Sequence, residues 1–263
     1  MFQYEFMQNA FIAAVFISIL CPLVGVFLVL KRYSMMGDTL AHSSFAGVAI
    51  GLVTGYSPIL CAFIFTSMCG LLIELLRNYY KKYAELILPI VLTLSIGIGI
   101  TLVSMGKTNA NINSFLFGSI LTVTKDDLFI MLVLSIISIL VLYKLYNKLV
   151  YITFDEEGAK VANIRVKLIN YVFALLVGAT ISVSIRVMGI LVMSSMIALH
   201  VATALQLNKG FKKTMIFSIL FGFIDIILGL ISSYYLNCAP GGTIALISVF
   251  ILVITIVFKS FRR

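Results

Sequence analysis

An acid and an imidazole stand four residues apart in a stretch that is otherwise small and apolar. The stretch is MGDTLAHSSFAGVAIG, residues 36–51, and the two groups are Asp38 and His42. On a helix this spacing places them on one face, about 40° apart. A carboxylate and an imidazole suit zinc, and also manganese or iron.

Two ligands make an incomplete metal site, but a symmetric pair of chains would supply four, the number that zinc prefers. The alternative is structural. Asp38 and His42 could hydrogen-bond to hold helices together, or cap the start of a helix. The spacing alone does not decide between a metal contact and a structural contact.

Three glycines form a second stripe on nearly the opposite side of the same helix, at Gly47, Gly51 and Gly55. Small residues at every fourth position let a neighbouring helix approach closely. The sequence therefore predicts that one face packs while the other presents Asp38 and His42 to a cavity.

A second histidine lies in VMGILVMSSMIALHVATA, residues 187–204. His200 shares a helical face with Gly189, Met193, Met196 and Thr203. Packing is the plainer interpretation, because methionine fills irregular gaps. If the face lines a route through the membrane, His200 is a third candidate for metal contact.

Asp225 is the acid in the middle of an apolar run, FSILFGFIDIILGLISS, residues 217–233. A carboxylate that faced lipid would be costly, so its face must look into protein. Its partner could be His200, Arg186 or a serine, and a structural polar contact is the favoured role.

These groups lie in a chain that is too apolar to be a water-soluble protein. It has 263 residues, of which 62% are hydrophobic and 11% charged, whereas soluble domains are about half apolar and a quarter charged. Apolar runs long enough to cross a bilayer predict an all-α, polytopic bundle in a single domain, residues 1–263. The runs are 10–30, 37–56, 58–76, 86–105, 127–147, 167–185, 187–206, 213–236 and 242–258. The second run is relatively polar, so we expect eight or nine spans.

The basic residues set the orientation. With the carboxyl terminus in the cytoplasm and alternating spans, sixteen of the 19 Lys and Arg residues fall inside, and only Lys107, Lys125 and Arg186 fall outside. The net charge of +9 thus lies in clusters between spans and not along one basic face, which argues against a nucleic-acid partner.

Two connections are unusual. The outer one, residues 107–127, has an apolar middle too short to span and is expected to re-enter the membrane against protein. The inner one, YITFDEEGAKVANIRVK (151–167), predicts a short helix that begins with acids. No GxxxxGK[ST] stretch is present, so energy for uphill transport must come from another subunit or from an ion gradient.

Five stretches in order resemble the permease subunits of metal-type ABC importers, the zinc and manganese uptake systems. They are KRYSMMGDTLAHSSFAGVAIG (31–51), INSFLFGSILTVTKDDL (112–128), FDEEGAKVANI (154–164), IRVMGILVMSSMIALHVATA (185–204) and APGGTIALIS (239–248). The resemblance implies a homodimer in the cell membrane, two cytoplasmic ATPase subunits and an extracellular metal-binding protein. It implies no resident cofactor, since the metal is the cargo.

By the same resemblance, Asp38 and His42 contact the metal in transit. A coupling segment sits in a groove of the ATPase, and it comprises Asp155, Glu156, Glu157, Gly158 and Ala159. The APGG turn, residues 239–242, lies at the outer mouth. One departure is His200, which stands where the family has a helix-kinking proline. The GDTLAHS wording and the imidazoles favour zinc over manganese.

Two other functions remain open from the sequence. A stand-alone carrier driven by an ion gradient would use His42, His200 and Asp225 as a relay. A structural or sensory membrane protein would move no metal at all, and its metal accumulation would not depend on Asp38 or His42.

Overall fold

The computed structural model describes residues 5–80, 84–105, 112–119 and 123–261, and within them every regular element is a helix. In these ranges there are nine long helices and two short ones. They are α1 (Glu5–Leu30), α2 (Ser34–Thr54), α3 (Pro58–Tyr79), α4 (Ala84–Ser104), α5 (Ile112–Phe117), α6 (Lys125–Phe154), α7 (Glu156–Val161), α8 (Val166–Met188), α9 (Ile190–Leu205), α10 (Phe211–Leu236) and α11 (Pro240–Phe261), and the two short ones are α5 and α7.

Among the described residues, seven helices are long and apolar enough to cross a membrane, namely α1, α3, α4, α6, α8, α10 and α11. The two remaining long helices depart from that standard for different reasons. Helix α2 has 21 residues but includes the polar stretch around Asp38 and His42. Helix α9 has 16 residues and is about 24 Å long, short of the roughly 30 Å hydrocarbon layer.

The start of α9 differs from the predicted run 187–206 because Gly189 interrupts the helix. Its φ of +80° lies in the left-handed region, which ends α8 and lets α9 begin at the next residue. Since α9 packs against α1, α10 and α11, its length does not have to match the bilayer.

The core consists of α1 and α8, which are the most completely buried of the spanning helices, whereas α4, α6 and α11 are mostly exposed. A helix that is apolar all round is expected in such a position. Helix α1 packs against α10, α9, α6 and α8, while α2 packs against α3 and α4. Helix α2 also contacts α9, α8 and α1, so it is joined to the core as well.

Contacts between helix ends agree with alternating spans. At one end, Lys31 after α1 donates to Asn170 near the start of α8, at 2.8 Å. At the other end, Lys125 at the start of α6 lies 2.6 Å from Glu5 at the start of α1. Basic residues 81, 82, 107, 262 and 263, which contributed to the orientation, lie outside the described residues.

Candidate metal-permeation site

Asp38 and His42 lie on the accessible strip of an otherwise packed helix. Within residues 36–49, the side chains that are not buried are those of Asp38, His42 and Phe45. Their spacing of four and three residues places them on one face of α2. The side chains of Asp38 and His42 are 41% and 30% exposed.

The two polar groups are close without being bonded. His42 Nε2 lies 3.8 Å from Asp38 Oδ1, beyond the range of a hydrogen bond. Both therefore retain free lone pairs or protons for another partner. No group of three or more His, Cys, Asp or Glu residues in the described ranges could hold a metal. The donor set within one chain is incomplete.

The opposite face of α2 meets α3 at its glycines. A Cβ on Gly47 would collide with the backbone of Cys61 and Ala62, and one on Gly51 would collide with Pro58. Gly55 does not take part in this contact, because no atom lies within 4 Å of where its Cβ would be. Its φ of +79° instead ends the helix. This close contact fixes the direction in which the other face points.

Hydroxyl groups join α2 to α4 as well. The hydroxyls of Ser43 and Ser95 are 2.8 Å apart, and Thr39 Oγ1 donates to the carbonyl of Leu88 at 3.5 Å. Packing on α3 and α4 therefore leaves α2 little freedom to rotate. The strip that carries Asp38 and His42 stays on the accessible side of α2.

His200 is fully buried and paired. Its Nδ1 lies 2.9 Å from Asp225 Oδ2, and Ser248 Oγ donates to the same oxygen at 2.7 Å. This arrangement ties α9, α10 and α11 together. Of the partners proposed for Asp225 from the sequence, the structure selects His200 and a serine, and it does not gather His200 with Asp38 and His42 into one metal cluster.

The end of the bundle that the charge distribution assigns to the outside holds an ion pair that the sequence did not reveal. Arg186 lies 2.7 Å from Asp127, with side chains 11% and 8% exposed, and its guanidinium stands 4.2 Å from the centre of the Phe115 ring. The sequence shows Asp127 only as the second of two adjacent acids at the end of the connection 107–127. The available signal was a lone outer arginine opposite two acids, but 59 residues separate them.

Three glycines close the same end. A Cβ on Gly118 would collide with Val187 and Met188, one on Gly189 with residues 116–118, and one on Gly241 with Met188 and Phe117. The segment after α5, the junction of α8 and α9, and the first turn of α11 therefore touch backbone to backbone. The predicted APGG turn is therefore mostly helical, because its residues 240–242 form the first turn of α11 and Gly241 lies in this contact.

The inner connection contains the short helix predicted there, α7. Asp155 Oδ1 accepts a hydrogen bond from the backbone N–H of Gly158 at 2.8 Å, which caps the helix. Lys160 bonds Glu157 at 2.7 Å and Glu156 at 3.2 Å, and these bonds raise its pKa.

The surface of α7 is mixed in character. Ala159 is fully buried within this chain, so its side chain is not available to a partner. Glu157 is 84% exposed, and two apolar side chains beside it, Phe154 and Val161, are 64% and 86% exposed. Exposed apolar and acidic side chains thus occur together on the connection that contains α7.

A cluster of charges and rings joins this inner end to α2. Tyr33 directly precedes α2, and the Arg77 guanidinium lies 3.9 Å from the centre of its ring. The Lys31 ammonium stands 5.8 Å from the same ring. Burial lowers the pKa of Lys31, although Glu74 and Glu156 act in the opposite direction. The helix that carries Asp38 thus begins in a network that α7 reaches electrostatically.

Known proteins match the chain along almost its whole length. Residues 3–259 match the ABC 3 transport family. A "probable metal transport system membrane protein" of Treponema pallidum is 50% identical over 100% of this chain and 99% of its own. The manganese transport system membrane protein MntC of Listeria monocytogenes is 28% identical, over 97% of this chain and 91% of its own.

A solved structure has the same architecture. PsaBC from Streptococcus pneumoniae, in complex with Fab, aligns with a TM-score of 0.85 and 26% identity, covering 96% of this chain and 91% of that one. With the family match over nearly every residue, the chain belongs to the ABC 3 transport family, as a membrane permease subunit of a metal-type importer.

Proposed function

We propose that two copies of this chain line a route for a divalent metal ion, with Asp38 and His42 of each copy facing the route. The observation that carries this is the accessible strip on α2, where an acid and an imidazole interrupt fourteen residues that are otherwise buried, Phe45 excepted. A carboxylate turned toward lipid would be too costly, so the strip must face water or another protein surface.

A second copy meets both requirements. Two strips brought together supply two carboxylates and two imidazoles, a complete set for a first-row divalent metal. The 3.8 Å gap between Asp38 and His42 leaves both groups free to turn toward an ion. A shared site of half-exposed ligands suits cargo that must leave again.

The inner helix α7 is the proposed seat of a cytoplasmic ATPase subunit, with Phe154, Glu157 and Val161 as its exposed contacts. In the proposed topology α2 and α9 also cross the membrane, which gives nine spans. Four of these spans follow the cytoplasmic α7, so the carboxyl terminus lies in the cytoplasm. The network around Tyr33 then carries movement of α7 to the start of α2, and the two copies alternate between outward and inward access.

At the outer end, an extracellular metal-binding protein would dock near the turn of residues 239–242 and release the metal there. The ion-gradient carrier is less well supported. It requires His200 and Asp225 as members of an open relay, whereas both are buried in a bond with each other.

The cargo is a divalent metal. Zinc is the expectation from the sequence, and manganese is the metal named for a similar protein of Listeria monocytogenes. Carboxylates are suitable ligands for manganese and imidazoles are suitable ligands for zinc, so the ligand types alone permit both metals.

The decisive experiment measures uptake of zinc and manganese, supplied separately, in cells that carry Asp38→Asn or His42→Gln in place of the native chain. We expect uptake of the true cargo to fall at least about tenfold, since even secondary ligand contacts cost that much in metal affinity. Glu85→Gln, which removes an exposed acid at the start of α4, is the matched control and should leave uptake unchanged. Full uptake by both Asp38→Asn and His42→Gln would refute the proposed route.

A further inference from the structure

An open groove of about 760 Å³ lies between the end of α9, the following connection, α10 and α11. One end of the groove is polar. Gln206, Asn208 and Lys209 follow α9, and Lys259 comes from the last turns of α11. The remaining wall is apolar, so the groove has the two-sided character of an amphiphile.

The positive charge at the polar end is not neutralised by the chain. Lys259 Nζ donates to Gln206 Oε1 at 3.2 Å, which is a neutral partner. Among the described residues, no ion pair involves Lys209 or Lys259, and no acid lines the groove. The one acidic residue between positions 206 and 263 is Asp225, which is held by His200.

The apolar wall consists of Phe221, Ile254 and Phe258. Phe258 is 70% exposed and Ile254 is 37% exposed on a helix apolar enough to cross a membrane, so both are expected to face the hydrocarbon of a bilayer. Lys209 and Lys259 lie at the helix ends beyond them, at the level of lipid headgroups. Basic pockets between helices at this depth are suited to anionic headgroups.

We propose that this groove binds an anionic diacyl phospholipid, with its phosphate between Lys209 and Lys259 and an acyl chain along Phe221, Ile254 and Phe258. A zwitterionic headgroup would bring its own cation close to the two lysines, so it would gain less from their positive charge than an anionic headgroup. The site goes beyond metal transport, and its occupancy does not depend on the proposed route.

The chain contains no tryptophan, which permits a clean optical test. Phe258→Trp places the only tryptophan in the groove wall, where it can be excited selectively over the 12 tyrosines. Leu140→Trp, at a 55% exposed position on α6, reports the surrounding bilayer. The full chain is reconstituted in phosphatidylcholine vesicles that also contain one lipid with dibrominated acyl chains, either phosphatidylglycerol or phosphatidylcholine. Quenching of the tryptophan fluorescence gives the relative affinity of each brominated lipid.

We expect the brominated anionic lipid to be preferred at Phe258→Trp, by about fivefold for each lysine that contacts the phosphate, and not at Leu140→Trp. Adding Lys209→Gln and Lys259→Gln should abolish the preference. Lys212→Gln with Lys213→Gln removes equal charge from the next turn of the chain, outside the groove lining, and should preserve it.

Equal quenching by both lipids at Phe258→Trp would overturn the proposal. So would an equal loss of preference in the two double-lysine variants, because that would indicate a general surface charge. Weak quenching by either lipid would indicate that protein, such as a second copy, covers the groove, and would overturn it as well.

Discussion

The chain has two histidines, each beside an aspartate, and the two pairs differ in almost every physical respect. Asp38 and His42 are one helical turn apart on α2, 3.8 Å from each other and partly exposed. His200 and Asp225 come from different helices, lie 2.9 Å apart and are at most 1% exposed. The first pair is open and the second is closed.

The difference teaches which pair is free to bind. In the closed pair, Asp225 Oδ2 already accepts from Ser248 and lies against His200, and three helices would have to separate to admit an ion. The open pair has no competing partner of that kind, and its helix is held from behind by α3. Burial and pairing thus separate a structural contact from a candidate binding contact where residue types cannot.

The largest expected effect is on stability at the closed pair. Removing Asp225 leaves the buried His200 Nδ1 and the Ser248 hydroxyl without their hydrogen-bond partner, so Asp225→Ala should lower the free energy of unfolding by about 3 kcal/mol. Asp38→Ala, at a partly exposed position, should change it by less than about 0.5 kcal/mol. Denaturant titration of the purified protein in detergent micelles measures both.

A double-mutant cycle sharpens this result. His200→Ala combined with Asp225→Ala should cost clearly less than the sum of the single changes, because both remove one interaction. Additive losses, or equal losses at Asp38 and Asp225, would show that the closed pair is not a structural tie.

The second expected effect concerns the support behind the open pair. Gly47→Ala should lower the free energy of unfolding by about 2 kcal/mol, since its Cβ would meet the backbone of Cys61 and Ala62 and neither can yield without moving α3. The same unfolding titration applies.

Gly37→Ala is the matched control for Gly47→Ala. It lies on the same helix, and its Cβ would make ordinary contact with Leu28 at 3.8 Å, so the better helix propensity of alanine should leave stability equal or slightly higher. If both substitutions were neutral, the close approach of α2 and α3 would not be what fixes the open pair.

Much of this architecture follows from periodicity and charge. Nine apolar runs predicted nine long helices, and acids at the start of residues 151–167 indicated the short helix α7. The one-face grouping of Asp38 with His42, and of His200 with Met193 and Met196, also followed from helical spacing. Such features depend on neighbours along the chain, which a sequence displays directly.

What the sequence could not supply depends on contacts between distant helices. The ion pair between Arg186 and Asp127 and the bond between His200 and Asp225 join residues whose separation along the chain has no periodic signature. The span count depends on such contacts too. In the described part of the chain seven helices have the length and composition of a span, because α2 carries a polar strip and α9 is shortened by Gly189. Tertiary packing compensates for both departures.

The smallest expected effect discriminates the two histidines by reactivity. Diethyl pyrocarbonate acylates accessible, unprotonated imidazole nitrogens, and the chain contains no histidine besides His42 and His200. His42, with 30% of its side chain exposed, should react at least about tenfold faster than His200, which is fully buried. Saturating cargo metal should slow the reaction at His42, because a ligated nitrogen has no free lone pair, and should leave His200 unchanged. Peptide mapping by mass spectrometry follows each site separately, with Asp38→Asn as the variant in which metal protection is lost. Equal rates at the two histidines, or metal protection at His200 in place of His42, would exchange the roles assigned to the open and closed pairs.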